Sequence, residues 1–467
     1  MGRLLAVAAS FGLLAGCGQD GNGSGAPAAD WRPWVLPKAD AVSVPPPPEK
    51  DSPAARTELA RMKALASSGA TPQKRAARRD AGLLAVEPWL QGALERVSLG
   101  STKDPPSSSR AYALVSVAMF DAEVAAAHYQ GVYRRDPPPG AGAGEDLPRG
   151  SSYPSDRAAI AGAAARVLGY LFPEYPAGRW DLIARRQARL RVVSGASFPT
   201  DERAGLTLGR RIGEMVIARA RRDGRDTLHW DGRRPRGVGT WRPPPGSLAR
   251  PVQPVAGNWR PWVLKNGSEL RPPAPPAYGT PRFAAEAREV LRIGNRLTEE
   301  QKRIALFWAS GQGTSLPAGF WNEIALGYAR EARFDPARTT RLFALLNVAL
   351  ADAGSAAWDA KYAYWSPRPI NAIRDLGLDQ DFKPFLPTPD FPAYVSGHST
   401  YSAAAAEVLA RVFPEVASFV RAKAREAGLS RIYGGIHYAA DNEAGLRLGR
   451  AVAQKVLTRA ADQGLGG

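Results

Sequence analysis

Cysteine occurs once in the 467 residues and histidine four times, at His128, His229, His398 and His437. A single thiol excludes a disulfide framework and any zinc site built on several thiolates. Four scattered histidines exclude a His-rich metal centre. Alternating strand patterns are scarce. Beyond the N-terminus no run reaches the ~18 apolar residues needed to span a bilayer. Acidic residues are also in deficit, 44 against 62 Lys and Arg, for a net charge of +18. No run of five basic residues occurs, and no finger, RNA-recognition or basic-zipper pattern is present, so nucleic acid is not expected as a partner. Arg supplies 51 of the 62 cations. Its planar fork of donors suits oxyanions.

The first residues form a distinct segment. Met1-Gly2-Arg3 precedes an almost wholly apolar run from Leu4 to Ala15, followed by Gly16-Cys17. One cation and a short apolar run read as a signal peptide over residues 1–16. Leu14-Ala15-Gly16-Cys17 resembles the bacterial lipoprotein box, which implies lipidation at Cys17. Residues 17–30, rich in Gly, Ser and Ala, then read as a flexible tether. The expected location is the bacterial cell envelope, periplasmic or at the outer membrane, with the body held to the membrane by its N-terminal lipid.

Comparing the chain with itself reveals a duplication. Trp31-Arg-Pro-Trp-Val-Leu36 recurs as Trp259-Arg-Pro-Trp-Val-Leu264, 228 residues later. At an offset of 231, Arg110, Ala118, Asp121 and Ala122 meet Arg341, Ala349, Asp352 and Ala353. At an offset of 240, residues 204–224 match 444–464 at 10 of 21 positions. The order is kept, and the offsets drift as loop insertions would make them. Apolar residues in both copies fall at i, i+3, i+4 and i+7, the helical period. The expected fold is all-α, with two helical bundles related by a pseudo-twofold, over residues 31–240 and 241–467.

Only the second copy concentrates chemistry. Lys361-Tyr-Ala-Tyr-Trp-Ser-Pro-Arg368-Pro369 is followed by Val395-Ser396-Gly397-His398, then by Ser430-Arg431-Ile-Tyr-Gly-Gly-Ile-His437-Tyr-Ala-Ala-Asp441. These segments supply three fixed cations, a hydroxyl, a backbone N–H beside Gly397, two histidines and a carboxylate. Ser396-Gly397-His398 immediately precedes an Ala-rich helix expected over residues 401–413. Backbone donors at a helix start, with Arg and Lys beside them, make a site for a tetrahedral or trigonal-bipyramidal oxyanion. If residues 437–441 are helical, Asp441 lies one turn from His437 and can hold its tautomer. The first copy provides a control. By the same offsets Ser155 and Arg157 stand for Ser396 and His398, and Ser197 and Asp201 for His437 and Asp441. The duplicated scaffold therefore does not require either histidine.

The three segments together resemble the signature shared by vanadium-dependent haloperoxidases and type 2 phosphatidic acid phosphatases, with bacterial acid phosphatases. The resemblance implies that Lys361, Arg368 and Arg431 neutralise equatorial oxygens, with the Ser396 hydroxyl and the Gly397 N–H completing the cradle. It implies His437 as the metal ligand to vanadium, or as the nucleophile toward phosphorus. His398 is implied as the acid–base residue on the opposite side, and Asp441 as the group orienting His437. Val395 departs from the Pro usual at its position. Trp358 and Phe391 match aromatics placed by the halide in haloperoxidases. The first reading is thus a haloperoxidase using vanadate, hydrogen peroxide and halide. The alternative is an acid phosphatase acting on phosphate esters through a phosphohistidine without a cofactor, and a third reading is a non-catalytic binding lipoprotein. Double length and the paired bundles favour the haloperoxidase.

Overall fold

The computed structural model describes residues 28–67, 71–81, 83–101, 104–139 and 151–462. The signal-peptide segment and Cys17 lie outside the described residues. In chain order the α-helices of the first copy are α1 (Pro53–Ser67), α2 (Pro72–Ala81), α3 (Glu87–Ser98), α4 (Pro105–Tyr133), α5 (Asp156–Leu171), α6 (Arg179–Ser194) and α7 (Pro199–Ala220). The second copy holds α8 (Pro281–Gly294), α9 (Glu299–Phe307), α10 (Leu316–Glu331), α11 (Pro336–Tyr364), α12 (Pro369–Asp375), α13 (Gly397–Val412), α14 (Ala417–Tyr433) and α15 (Ala439–Asp462). No strand occurs among the described residues. The fold is all-α, as the helical periodicity requires.

The duplication is visible element by element. Helices α4 and α11 are both 29 residues long. Each begins with an Asp N-cap, Asp104 or Asp335, and a Pro at the first helical position. That pairing satisfies one orphan N–H and omits another. The two helices pack on each other, and each is surrounded by its own copy's partners: α5 and α7 around α4, α13 and α15 around α11. One continuous apolar core runs through both bundles, so neither half is a separately buried unit.

Two of the sequence repeats have a clear physical cause. The Trp-Val-Leu turns wrap a buried carboxylate. Asp121 accepts from the N–H groups of Trp34, Val35 and Leu36 at 2.7, 2.8 and 3.0 Å. Asp352 accepts identically from Trp262, Val263 and Leu264. The Ala-Gly-Leu-x-Leu-Gly repeat is a helix crossing. A Cβ on Gly205 or Gly209 would enter the Ser155 and Ala159 carbonyls of α5, and one on Gly445 or Gly449 the Ser396 and Thr400 carbonyls of α13. These glycines let α7 lie against α5, and α15 against α13, at backbone contact.

That second crossing positions the chemistry. Ser396, the N-cap of α13, donates its N–H to the Asp441 carbonyl in the first turn of α15. Ser155 does the same to Asp201 in the first copy.

Candidate functional site

The oxyanion segments converge where the N-termini of α13 and α15 meet the C-terminal ends of α11 and α14. Helix α13 starts at Gly397 rather than residue 401, so Gly397 and His398 occupy its first turn, with their N–H groups at its positive end. The Ser396 hydroxyl accepts from the Ser399 N–H at 3.4 Å. A Cβ on Gly397 would meet nothing closer than the Trp358 ring at 3.6 Å.

His437 and Asp441 meet, but not along one helical turn. Helix α15 begins at Ala439, and His437 lies in the extended approach to it. Asp441, in the first turn, accepts from His437 Nδ1 at 2.8 Å and from the Tyr438 N–H at 3.2 Å. A helix-capping carboxylate thus doubles as the orienter of the imidazole. With Asp441 ionised, Nδ1 is the donor and Nε2 is left as an acceptor. Nε2 sits 3.0 Å from Arg368 Nη1. Burial, then Arg368, Lys361 and Arg431, hold the His437 pKa well below its usual value. Burial raises Asp441 to about 7. At neutral pH His437 is therefore a neutral imidazole with its lone pair turned toward the cations.

Three cations are sunk beside it. Arg368 is fully buried and Arg431 nearly so. Arg368 Nε donates to the Phe391 carbonyl and Nη1 to the Ile436 carbonyl. Arg431 Nη1 donates to the Trp308 carbonyl at 2.9 Å and lies 3.0 Å from His398 Nε2. Burial pulls Arg431 down to about 9 and Arg368 to about 10. Arg368 Nη2 and Arg431 Nε are buried with no hydrogen-bond partner. Buried charged donors without acceptors are costly. Their pairing with an anion's oxygens is the arrangement that removes the cost.

Lys361 occupies the cluster in a different role from the one expected of it. Its Nζ donates to the carbonyls of Pro392, Ala393 and Val395 at 2.8, 3.0 and 2.5 Å. All three ammonium protons are thus committed to the turn that leads into Ser396. The amine contributes charge to the pocket and braces the turn, without a spare N–H. The Tyr394–Val395 peptide in that turn is cis, as is Tyr153–Pro154 at the matching place in the first copy.

His398 is only half-buried. Its Nε2 lies 3.1 Å from the Trp308 carbonyl. That oxygen accepts, whereas Arg431 Nη1 donates, so Nε2 satisfies one partner or the other according to its protonation. Burial and the Arg431 charge hold its pKa well below the usual value. Phe391 and Trp358 pack together with ring centroids 5.1 Å apart, and Lys361 Nζ lies 5.0 Å from the Phe391 ring. Trp358 is fully buried and gives its N–H to the Val252 carbonyl, so it forms the wall behind the partly exposed Phe391.

The first copy answers the question of what an anion would do here. Gln130 stands where Lys361 does and donates to the Pro154 carbonyl at 3.0 Å, as Lys361 does to Val395. Arg191 stands where Arg431 does. Its Nε is bonded to Glu202 Oε1 at 3.1 Å. Arg431 Nε, the matching atom, is the orphan. The first bundle supplies its own carboxylate; in the second, Asn442 stands at the matching place and accepts from the Ser399 hydroxyl at 2.8 Å, so Arg431 Nε has no carboxylate partner.

A family model described as the VCPO second helical-bundle domain matches residues 341–423 and 415–464, the span that carries every one of these site residues. Over those residues the chain is similar to vanadium-dependent haloperoxidases. A curated relative, the vanadium chloroperoxidase of Curvularia inaequalis, is 33% identical over 134 residues, 23% of this chain and 22% of that protein. The alignment thus spans under a quarter of the relative's length. Among solved structures, a bacterial vanadium-dependent iodoperoxidase superposes with a TM-score of 0.67 at 25% identity, covering 80% of this chain and 95% of that one. A bacterial vanadium-dependent chloroperoxidase shares the fold, with a TM-score of 0.59 at 15% identity.

Several of this site's supports carried no sequence signal. The carbonyls of Trp308, Phe391, Pro392 and Ile436 hold the two arginines, Lys361 and His398, and a carbonyl belongs to every residue. Trp308 is itself fixed by an indole N–H donated to Glu426 at 2.9 Å. The duplicated scaffold yields a discriminating prediction. Arg431→Ala should weaken phosphate binding by roughly 1.5–3 kcal/mol, the worth of a hydrogen bond to a charged group. Arg191→Ala should leave phosphate affinity unchanged, because its partner is internal. Equal losses in calorimetric titrations of the two variants would reverse this assignment.

Proposed function

We propose that the protein is a vanadium-dependent haloperoxidase that converts halide, hydrogen peroxide and a proton to hypohalous acid and water. The observation that carries this choice over the phosphatase is the paired-bundle body, whose match spans 95% of a vanadium-dependent iodoperoxidase. The donor set fits vanadate. Arg368 Nη2, Arg431 Nε, the Ser396 hydroxyl and the first-turn N–H groups of α13 would receive its oxygens, and His437 Nε2 would bind the metal. Bound vanadate supplies a Lewis-acid centre that activates peroxide toward halide.

The chain's own residues do the rest. Asp441 keeps the proton of His437 on Nδ1, so that Nε2 stays basic. The two arginines offset the negative charge and hold its geometry fixed, a preorganised field that needs no rearrangement during reaction. Lys361 adds positive charge and holds the Pro392–Val395 turn. His398, neutral and half-exposed, takes the proton that peroxide loses on binding and returns one to the departing oxygen. The decisive experiment assays one purified sample twice, for vanadate- and peroxide-dependent halogenation and for vanadate-free phosphate-ester hydrolysis. Halogenation is expected. Hydrolysis alone would transfer the site to the phosphatase reading, with His437 as nucleophile.

Electrostatics predicts a proton linkage. His398 is held low by burial and by Arg431. A bound dianion opposes the Arg431 contribution and raises the His398 pKa toward the ordinary value of about 6.5. Binding of sulfate, a dianion throughout this range, should therefore be accompanied by proton uptake at His398 below neutral pH. Titration calorimetry with sulfate in two buffers of different ionisation enthalpy should give different heats for the wild type and a smaller difference for His398→Ala. Equal heats for the wild type would exclude the linkage.

We also propose that Cys17 is lipidated and that the mature protein is tethered to the cell envelope, on the strength of the Leu14–Cys17 box. Cys17→Ser should release the protein from membranes or leave it unprocessed. Unchanged fractionation, with an unmodified cysteine in mass spectrometry, would remove this proposal.

A further inference from the structure

A cleft of about 720 Å³ opens in the segment that joins the two bundles, between Trp230 and Pro251. Its size lies within the range of small-molecule sites. The segment is sewn to the outside of the catalytic motif. The Trp241 N–H donates to the Trp365 carbonyl at 2.6 Å, and Arg242 pairs in bidentate fashion with Asp375 at 2.6 and 2.7 Å. The Val252 N–H donates to the carbonyl of Asp390, the residue before Phe391, at 2.9 Å. The Val252 carbonyl accepts from Trp358 and Tyr362, on either side of Lys361. The segment that carries the cleft is therefore tied to the helix and the loop that bear Trp358, Lys361 and Phe391.

Its lining is apolar and flat in places, and cationic at the rim. Trp230, Pro244 and Pro245 offer faces, and Trp230 itself leans on Trp365 at 6.4 Å. Leu248 is 99% exposed beside them, an apolar side chain with nothing covering it. Arg234 and Arg250 are exposed and have no ion-pair or hydrogen-bond partner among the described residues. The lining's one carboxylate, Asp231, lies 3.6 Å from Arg233. The cleft thus combines ring-stacking surfaces with two uncommitted guanidinium forks, which match a planar carboxylate.

We propose that this cleft docks the organic acceptor of the reaction, an aryl carboxylate or a molecule of like chemistry with a flat apolar body and one anionic group. The proposal rests on the haloperoxidase reading. Hypohalous acid made at the oxyanion site transfers its halogen to an arene carbon. The carbon–hydrogen bond breaks, and that proton leaves with hydroxide as water, so no further oxidant is required.

The test uses 2-naphthoate as the probe and its neutral amide as the control, titrated into the full protein without peroxide or halide. Naphthoate should bind at least tenfold more tightly than the amide. Arg234→Ala/Arg250→Ala should lose at least tenfold in naphthoate affinity, and Leu248→Asp should weaken it by repulsion. His437→Ala should bind naphthoate as the wild type does, because the oxyanion pocket is a separate place. In turnover, the double variant should raise KM for naphthoate more than for a neutral phenol. Equal affinity for acid and amide overturns the proposal. So does naphthoate binding that phosphate displaces and that His437→Ala abolishes. If the binding pattern holds while only phosphate esters react, the haloperoxidase reading falls and the cleft's acceptor role falls with it, but its anion-binding chemistry stands. If halogenation holds while the binding pattern fails, the cleft alone is misassigned.

Discussion

His437→Ala should abolish vanadate-dependent activity and sharply weaken vanadate binding, the largest functional effect expected of any single substitution. The variant removes the neutral Nε2 that Asp441 orients through Nδ1 at 2.8 Å, and with it the nitrogen that would hold vanadate. Phosphate should still bind, more weakly, because Arg368 and Arg431 remain. His398→Ala should separate binding from turnover. It leaves the arginines and His437 in place, so the oxyanion should bind, while turnover falls by ~10²–10⁴-fold, the usual cost of losing a general acid–base group. Arg157→Ala and Ser197→Ala, at the matching places in the first bundle, should leave turnover nearly untouched. Affinity and activity measured across the four variants decide the matter. Wild-type behaviour of both histidine variants would mean that the chemistry lies elsewhere.

Gly449→Ala should destabilise the fold and damage the site together. Its Cβ would enter the Thr400 carbonyl, so α15 must move away from α13, at a cost of about 1–3 kcal/mol for an overpacked contact. That movement separates Asp441 from the Ser396 N–H and opens the cradle. Gly209→Ala creates the same clash with the Ala159 carbonyl of α5, in the bundle without chemistry. It should lower thermal stability comparably and spare oxyanion affinity in the folded protein. Melting temperature and phosphate affinity, measured for both variants, separate the two effects. Equal loss of affinity in both would mean that the bundles respond as one body, without local positioning of the cradle.

The sequence by itself determined the helical class, the duplication and the identity of the charged site. Each rests on a feature that must be written in residue types. Helical period needs apolar residues at set spacings. Backbone contact between helices needs Gly205, Gly209, Gly445 and Gly449. An oxyanion pocket needs Arg368, His398 and His437, which the first copy lacks, beside Arg431, which the first copy keeps as Arg191. What the tertiary structure alone decided is how those groups spend their donors. Lys361 reads as an oxygen-binding cation, yet three carbonyls from residues 392–395 consume its protons, and spacing cannot reveal a backbone carbonyl. The His437–Asp441 pair reads as one helical turn, yet it bridges an extended approach and a helix start. The first bundle reads as merely lacking histidines. Its Glu202, packed against Arg191, shows that it also fills its own anion place. Such assignments depend on which groups folding brings within about 3 Å, and distant segments of the chain meet at that range only in three dimensions.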